Sequence, residues 1–332
     1  MSRGWLKAIA ETPALSDRIT IVGLNDLDSA AANRLATEFG LGQATIESDL
    51  DALLAGTSPD VLFDVVIPGA RHDVVATALR HGCHVLSEKP MATSLADGRD
   101  LVAQAARAGK VHAIVQNRRF NEGVRRIRAT LDSGVLGTLN AVHCDFFVGA
   151  HFGGFREQME HVLLVDMAIH TLDAARYISG KRPLAVYCHE TNPASSWYAH
   201  GSVANAIFEF SDDVVFTYRG SWSAEGANTS WDSSWRIVGS KGTLLWDGAD
   251  GFEANVVAGN EGFFRPLQPA TVAPPAEAEQ TRGHASVLLD FLDAIEAGCA
   301  PETVSSDNIH SLAMVFAAIE SARTRQRVEI AA

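Results

Sequence analysis

Two short stretches of this chain carry residue types that could move a proton at a ligand oxygen. The first, "HVLSEKPMA", sets Glu88, Lys89 and Pro90 directly after an apolar run. That run reads as a buried strand, and open α/β sheets bind ligands at the carboxyl ends of their strands. Pro90 disfavours helical backbone at Lys89, so the ammonium group is expected to project from the strand end as a donor to a substrate oxygen. Taken alone, a Lys-Pro pair is better explained by a solvated lysine at a turn. The second stretch, "LLVDMAIHTLDAARYISG", spaces Asp166, His170 and Asp173 at i, i+4 and i+7, one face of a helix. A histidine flanked by carboxylates favours its imidazolium form, which suits a general base. The same spacing also fits a packed structural histidine, or a divalent-ion site drawing on His151 or His161 nearby. No tight fourth ligand is evident, and no metal is expected.

Stepping outward from these residues, the pattern up to about residue 120 alternates strands and helices. "RITIVGLN" (18–25) reads as a strand, "SAAANRLATEFG" (29–40) as a helix and "DLDALLAG" (49–56) as a short helix. "DVLFDVVIP" (60–68), "HVLSEKP" (84–90) and "KVHAIVQN" (110–117) read as strands, separated by helices at 72–82 and 94–109. Strands apolar on both faces, joined through helices, specify a parallel sheet covered on both sides: the doubly wound nucleotide-binding architecture. Beyond residue 120 the rhythm changes to a helix at 121–133, a strand in "TLNAVHCDFFVG" and one long helix at about 159–179. Closely spaced strands follow at 184–191, 203–211, 214–222, 233–240 and 243–247, with hairpin turns in "FSDDVVF" and "VGSKGTLL". A mainly antiparallel open sheet is expected, closed by helices at 284–297 and 306–324, with a Pro/Ala-rich surface loop at 266–280. The domains are expected at 1–118 (dinucleotide-binding, α/β) and 119–332 (substrate and oligomerisation, α+β).

The amino-terminal stretch "MSRGWLKAIAETPALSDRITIVGLNDLD" is a helix feeding a strand that stops at Asp26. In a dinucleotide-binding unit, an acidic residue in that position bonds the adenosine ribose, about 20 residues after a glycine-rich turn. Asp26 sits where that acid belongs, and Ser2 then falls at the end of the turn. The first strand and its two leading glycines would precede Met1, so Met1 is expected to be internal to a longer chain carrying about ten further residues; the alternative is that "MSRGWLKAIAE" is simply an amphipathic amino-terminal helix. A carboxylate repels a 2′-phosphate and no arginine follows it immediately, which favours NAD over NADP.

The bulk properties exclude several classes. A length of 332 residues suits two domains. The net charge is −13 with Lys and Arg scattered, so nucleic acid or anionic lipid is not the expected partner. No apolar run approaches the ~20 residues of a membrane span, and no secretory signal is visible, so the cytoplasm is the expected compartment. The four cysteines, Cys83, Cys144, Cys188 and Cys299, are far apart and are expected to be reduced packing residues.

A lysine after a nucleotide-domain strand, followed by an Asp-x-x-x-His helix in a second, sheet-rich domain, resembles the glucose–fructose oxidoreductase/inositol dehydrogenase/rhizopine-catabolism (Gfo/Idh/MocA) family. The resemblance runs the length of the chain through "NDLD", "GCHVLSEKPMA", "QNRRFN", "DMAIHTLD" and "IVGSKGTL". It implies an NAD(P)-dependent oxidoreductase that passes a hydride between nicotinamide and a hydroxyl or keto carbon of a sugar, polyol or related compound. Lys89 would hydrogen-bond the reacting oxygen, His170 would accept or return its proton, and Asp166 would hold substrate and histidine. Ser2, Asp26, Pro68, Glu88 and Lys89 would border the cofactor. Asn117, Arg118 and His151, with Asp166 and His170, would border the substrate, and dimers or tetramers would form through the second-domain sheet. Two rival readings remain at this point. One is an NAD-requiring glycoside hydrolase of the same family. The other is a non-catalytic sugar- or nucleotide-sensing protein.

Overall fold

The computed structural model describes residues 1–277 and 280–331; Ala278 and Glu279, within the expected surface loop, and Ala332 lie outside the described residues. The chain divides into two compact units, residues 1–116 with 282–309, and residues 117–281 with the segment from His310 onward.

The first unit contains five short strands: β1 (Gly23–Asn25), β2 (Thr45–Glu47), β3 (Val61–Asp64), β4 (His84–Ser87) and β5 (His112–Ile114). All pairings are parallel, and they form two separate ladders, β1–β2 and β3–β4–β5. The helices between them start where the sequence supplies caps. Asp28 Oδ1 accepts from the Ala30 amide at 2.9 Å to open helix Ser29–Glu38. Ser94 Oγ accepts from the Asp97 amide at 3.0 Å to open Leu95–Ala108, which ends on the left-handed Gly109. Leu54, Val75, Leu79, Val85, Leu101 and Ala105 bury their side chains in one cluster that fixes β4 against the helices.

Several expected bounds need correction: the strands read over 60–68, 84–90 and 110–117 form ladders only over Val61–Asp64, His84–Ser87 and His112–Ile114. The alternation over 18–25 reads as one strand, but only Gly23–Asn25 joins a ladder, because β2 lies on one side alone and β1 is a sheet edge among the described residues. The helix expected from residue 72 starts four residues earlier, at Pro68, because proline lacks only an amide that the first helical turn leaves unbonded.

His112, the first residue of β5, is fully enclosed, and its Nε2 lies 3.1 Å from Ser87 Oγ. Burial pushes its pKa down to about 3, with Arg71 adding in the same direction. The unfolded chain therefore takes up a proton near pH 6.5 that the folded chain refuses until about pH 3. Stability from this group is complete above pH 6.5 and is lost as pH falls through that window. His112→Gln is expected to flatten the acid limb of the stability curve by up to about 1.4 kcal/mol per pH unit, read from urea midpoints between pH 4 and 6.5.

Among the described residues, the second unit is built on nine strands: β6 (Leu139–Phe147), β7 (Pro183–Thr191), β8 (Val203–Phe210), β9 (Val215–Ser221), β10 (Ser234–Gly239), β11 (Gly242–Trp246), β12 (Phe252–Val257), β13 (Leu267–Pro269) and β14 (Val328–Glu329). They form one sheet in the order β13-β12-β11-β10-β6-β9-β8-β7-β14, antiparallel except where β6 meets β9. Period-two burial is clear: Phe208, Phe210, Phe216, Tyr218 and Ile237 are enclosed on one face, while Tyr187 and Ile207 are exposed on the other. Both expected hairpins form, the first through Asp212 and Asp213 at positive φ.

The long helix expected at 159–179 is shorter and irregular. A single α-helical turn spans Phe155–Gln158, His161 adopts a left-handed backbone, a π-helical turn covers Leu163–Ala168, and regular helix runs only over Ile169–Ser179. A left-handed residue cannot continue a right-handed helix, which sets the start. Among the cysteines, Cys83, Cys144 and Cys188 are buried and outside any disulfide, as expected. Cys299 is exposed, because it follows the left-handed Gly298 that ends helix His284–Ala297.

Candidate functional site

At the carboxyl edge of the first unit's sheet, Lys89 leaves β4 half-buried, and its peptide bond to Pro90 is cis. Its neighbours are fixed from two directions. The wholly buried Arg71 donates Nε to Asp64 Oδ2 at 2.7 Å, Nη2 to the Val66 carbonyl at 2.7 Å and Nη1 to the Pro90 carbonyl at 2.5 Å. One guanidinium thus ties the ends of β3 and β4 together. Burial drives the Asp64 carboxyl above the ordinary range although Arg71 pulls the other way.

On the other side of Lys89, Glu88 is nearly enclosed. The Trp5 indole N–H donates to its Oε1 at 2.8 Å, His284 Nε2 stands 3.8 Å from the same oxygen, and the Lys89 amide donates to Oε2 at 3.3 Å. Burial alone would raise this carboxyl, but the His284 and Trp5 hydrogen bonds outweigh it and the net shift is downward. Glu88 is therefore an anion held in place, and Trp5 packs against Phe63 with ring centroids 5.4 Å apart. Trp5 and His284 had no sequence signal as site residues. Trp5 reads as a helix face, and nothing local links positions 71 and 284 to residue 89.

Asp26 stands exposed beyond the end of β1, with Oδ1 accepting the Asp28 amide at 2.9 Å. Ser2, at the start of a helix without a side-chain cap, borders the same cleft as Asn25, Asp26, Val65 and Val66. Pro68 begins the helix that carries Arg71. These residues fit a dinucleotide: an exposed carboxylate for a ribose diol, a helix amino end toward phosphate, and the Val66–Pro68 and Glu88–Lys89 strand ends for the ring.

In the second unit Asp166 lies in the π-helical turn and accepts from Arg156 Nε at 3.0 Å; His170 follows in the first turn of the α-helix, half-buried. Asp173 does not flank the histidine as a working carboxylate. It is wholly buried and bound to Arg119 through Nε at 2.6 Å and Nη2 at 2.8 Å, and it also accepts from Ser311 Oγ at 2.6 Å. That arrangement is structural, since a buried charge must be matched by buried partners.

Arg118 forms an ion pair with Asp232, whose other oxygen accepts from Asn121 Nδ2 at 2.8 Å, and Asn117 opens the 3-10 turn that carries Arg118. His151 is exposed, stacked on Trp197 at 3.7 Å and paired with Glu225 at 3.1 Å. His161 contacts Glu190 at 2.5 Å, and this bond raises its pKa against the opposing effect of burial.

Sequence reasoning missed what joins these groups. The Arg156 guanidinium lies 5.1 Å from the centroid of Phe152, and Phe152 packs edge-on to Trp222 at 5.1 Å and lies 6.3 Å from Trp231. Trp231 in turn adjoins Asp232. A half-exposed aromatic patch of Phe152 and Trp231 therefore runs between the Asp166–Arg156 pair and the Arg118–Asp232 pair. Such rings suit the C–H face of a polyhydroxylated ring, with the flanking charges available to its hydroxyls. Among the described residues, no cluster of three or more His, Cys, Asp or Glu could hold a metal ion, and no helix is long and apolar enough to cross a membrane.

Residues 5–116 match the model of the oxidoreductase family with an NAD-binding Rossmann fold, and residues 124–245 match the GFO/IDH/MocA C-terminal domain. The protein y4oX of Sinorhizobium fredii is 24% identical over 339 residues, covering 98% of this chain and 92% of its own. D-apiose dehydrogenase of Paraburkholderia graminis is 26% identical over 325 residues, covering 95% and 84%. The crystal structure of an oxidoreductase from Agrobacterium radiobacter, in complex with NAD+, L-tartaric acid and magnesium, superposes with a TM-score of 0.85 at 20% identity, over 99% of this chain and 95% of that one. The fold, the paired domain matches and the full-length relatives agree: this chain belongs to the Gfo/Idh/MocA family of NAD(P)-binding oxidoreductases.

Proposed function

We propose that the protein is an NAD-dependent dehydrogenase or reductase acting on a hydroxyl or keto carbon of a sugar or polyol. The observation that carries the reading is the clamp on Lys89, with Arg71 bonded to the Pro90 carbonyl on one side and Glu88 locked by Trp5 and His284 on the other. With the residues on both sides of it fixed, a donor at this position would stabilise charge on a reacting oxygen with little backbone reorganisation. Family membership and a full-length relative named as a D-apiose dehydrogenase support the substrate class.

In this reading Lys89 donates to the reacting oxygen, and His170 takes the hydroxyl proton in oxidation and returns it in reduction. Asp166, oriented by Arg156, holds a substrate hydroxyl and the imidazole. Arg118, Asn117 and His151 bind further hydroxyls, with Phe152 and Trp231 under the ring. Ser2, Asp26, Pro68 and Glu88 hold the cofactor. When bound, the nicotinamide supplies the two-electron acceptor or donor. A panel of sugars and polyols with NAD and NADP, followed at the nicotinamide absorbance band, tests the reading. Turnover of none of them, together with product release from a glycoside without NADH accumulation, would refute it.

Asp26 sets the cofactor preference. A carboxylate about 4 Å from a 2′-phosphate costs about 1–4 kcal/mol between water-like and protein-surface dielectrics. Asp26→Ser is therefore expected to narrow the NAD/NADP ratio of kcat/KM by about tenfold or more; an unchanged ratio would remove Asp26 from the ribose site. The exposed sheet face carrying Leu184, Tyr187, Ile207 and Val215 is where a second copy of the chain would pair.

A further inference from the structure

Two residues of the second unit that take no part in the proposed chemistry carry the backbone that presents it. His161 has φ +51°, a left-handed conformation that residues other than glycine adopt at a cost and keep only where their surroundings impose it. Its carbonyl accepts from the Val165 amide at 3.0 Å, and this bond opens the run through the π-helical turn of Asp166 to the helix of His170. An ordinary right-handed φ at position 161 would aim that carbonyl, and the turn that starts on it, in another direction.

What imposes the conformation lies on the sheet. His161 Nδ1 stands 2.5 Å from Oε2 of Glu190, near the carboxyl end of β7. The Glu190 side chain is only 9% exposed, and its Oε1 is buried with no hydrogen-bond partner among the described residues. A carboxylate so enclosed needs a cation against it, and the His161 imidazolium supplies one. A Cβ at Gly201 would stand 2.4 Å from Glu190 Cδ, so glycine there lets the 192–201 segment lie directly on the carboxylate. The same segment donates the Ala199 amide to the Glu157 carbonyl at 2.8 Å, next to Arg156, whose Nε bonds Asp166. Strand register sets Glu190 in one row with Ala204 and Gly220, small residues of the two strands on which the π-helical turn packs.

We propose that Glu190 and His161 are positioning residues: their ion pair enforces the left-handed backbone at position 161 and so sets the placement of Asp166 and His170. The inference rests on the roles proposed above for those two residues. The bond to Glu190 raises the His161 pKa against the opposing effect of burial, and the charges of Glu190 on β7 and of the adjacent Glu160 add to the rise. The pair is therefore intact below that raised pKa and is lost as pH rises through it. Turnover falls on the alkaline side, where His161 deprotonates and the buried carboxylate loses its cation.

Glu190→Gln keeps the shape of the side chain and removes its charge. It is expected to lower kcat by about tenfold to a hundredfold, the loss that small misplacements of reacting groups produce. The His161 pKa, read by NMR, should fall back toward the ordinary histidine value, and hydrogen exchange at the Val165 amide should speed up by about tenfold or more. The double variant Glu190→Gln/His161→Gly is the rescue. Glycine takes positive φ without help, so kcat and Val165 exchange should return to within about threefold of wild type while the alkaline fall disappears. Unchanged kcat and exchange in Glu190→Gln, or losses that glycine does not recover, would overturn the proposal. Should Glu190→Gln fail to fold, the double variant decides alone by the same criteria. Wild-type protein that turns over no sugar or polyol would strike the dehydrogenase reading instead, and the exchange measurements, which need no substrate, would still judge the pair.

Discussion

Replacing Lys89 by methionine is expected to lower kcat by about 10²–10³-fold, the usual loss when one positioned donor to a developing oxyanion is removed. Methionine keeps most of the lysine stem, so packing around the half-buried side chain survives and the thermal midpoint should move little. KM for the sugar should change less than kcat, because a bond made chiefly to the alkoxide-like transition state is missing from the ground state. His170→Asn is expected to cost about 10²–10⁴-fold, since asparagine cannot take the hydroxyl proton. Retention of turnover within threefold in Lys89→Met would end the catalytic assignment. A non-catalytic sensor would show that result, with ligand binding intact in both variants.

The chemistry-bearing residues that could be read from sequence were those with a local pattern. Lys89 was visible because an apolar strand run precedes it and a proline follows it, and Asp166 and His170 because helical spacing puts them together. What stayed hidden depends on contacts between distant segments. Trp5 and His284 reach Glu88 across 83 and 196 positions, and helical periodicity assigns each of them simply to a packed face. Asp173 carried the same spacing signal as Asp166. Its difference arises from Arg119 and Ser311, which sequence spacing does not relate to it. The strands that escaped notice, β2, β12, β13 and β14, are short or lie at sheet edges, where two to six residues give alternation too little length to register. The strands read too long, 18–25, 60–68, 84–90 and 110–117, fail for a different reason: the apolar pattern is present, but only Gly23–Asn25, Val61–Asp64, His84–Ser87 and His112–Ile114 have a ladder neighbour.

Arg71→Met should produce the largest change in stability, a loss of about 3–5 kcal/mol, because it leaves the Asp64 carboxylate buried without its cation. Asp64 and Arg71 side chains are both fully enclosed, so solvent cannot take over either charge. The variant should recover part of its loss as pH falls. Burial holds the Asp64 carboxyl above its ordinary range even with Arg71 present, and removing the cation raises it further. A carboxyl whose folded pKa exceeds its unfolded value binds more protons when folded, so stability rises as pH drops below that raised pKa toward about 4. Wild-type protein should show a much weaker trend from this group, which separates an uncompensated charge from a simple packing defect. Asp64→Asn in the Arg71→Met background should restore much of the stability at pH 8, as removal of both charges of a buried pair often does. It should not restore turnover. The Pro90 carbonyl would still lack the Nη1 donor at 2.5 Å, so the chain just after Lys89 would remain loose in the rescued fold. A double variant regaining both stability and full kcat would show that Arg71 serves the core alone, whereas stability without kcat would assign the guanidinium a second role in aiming the lysine.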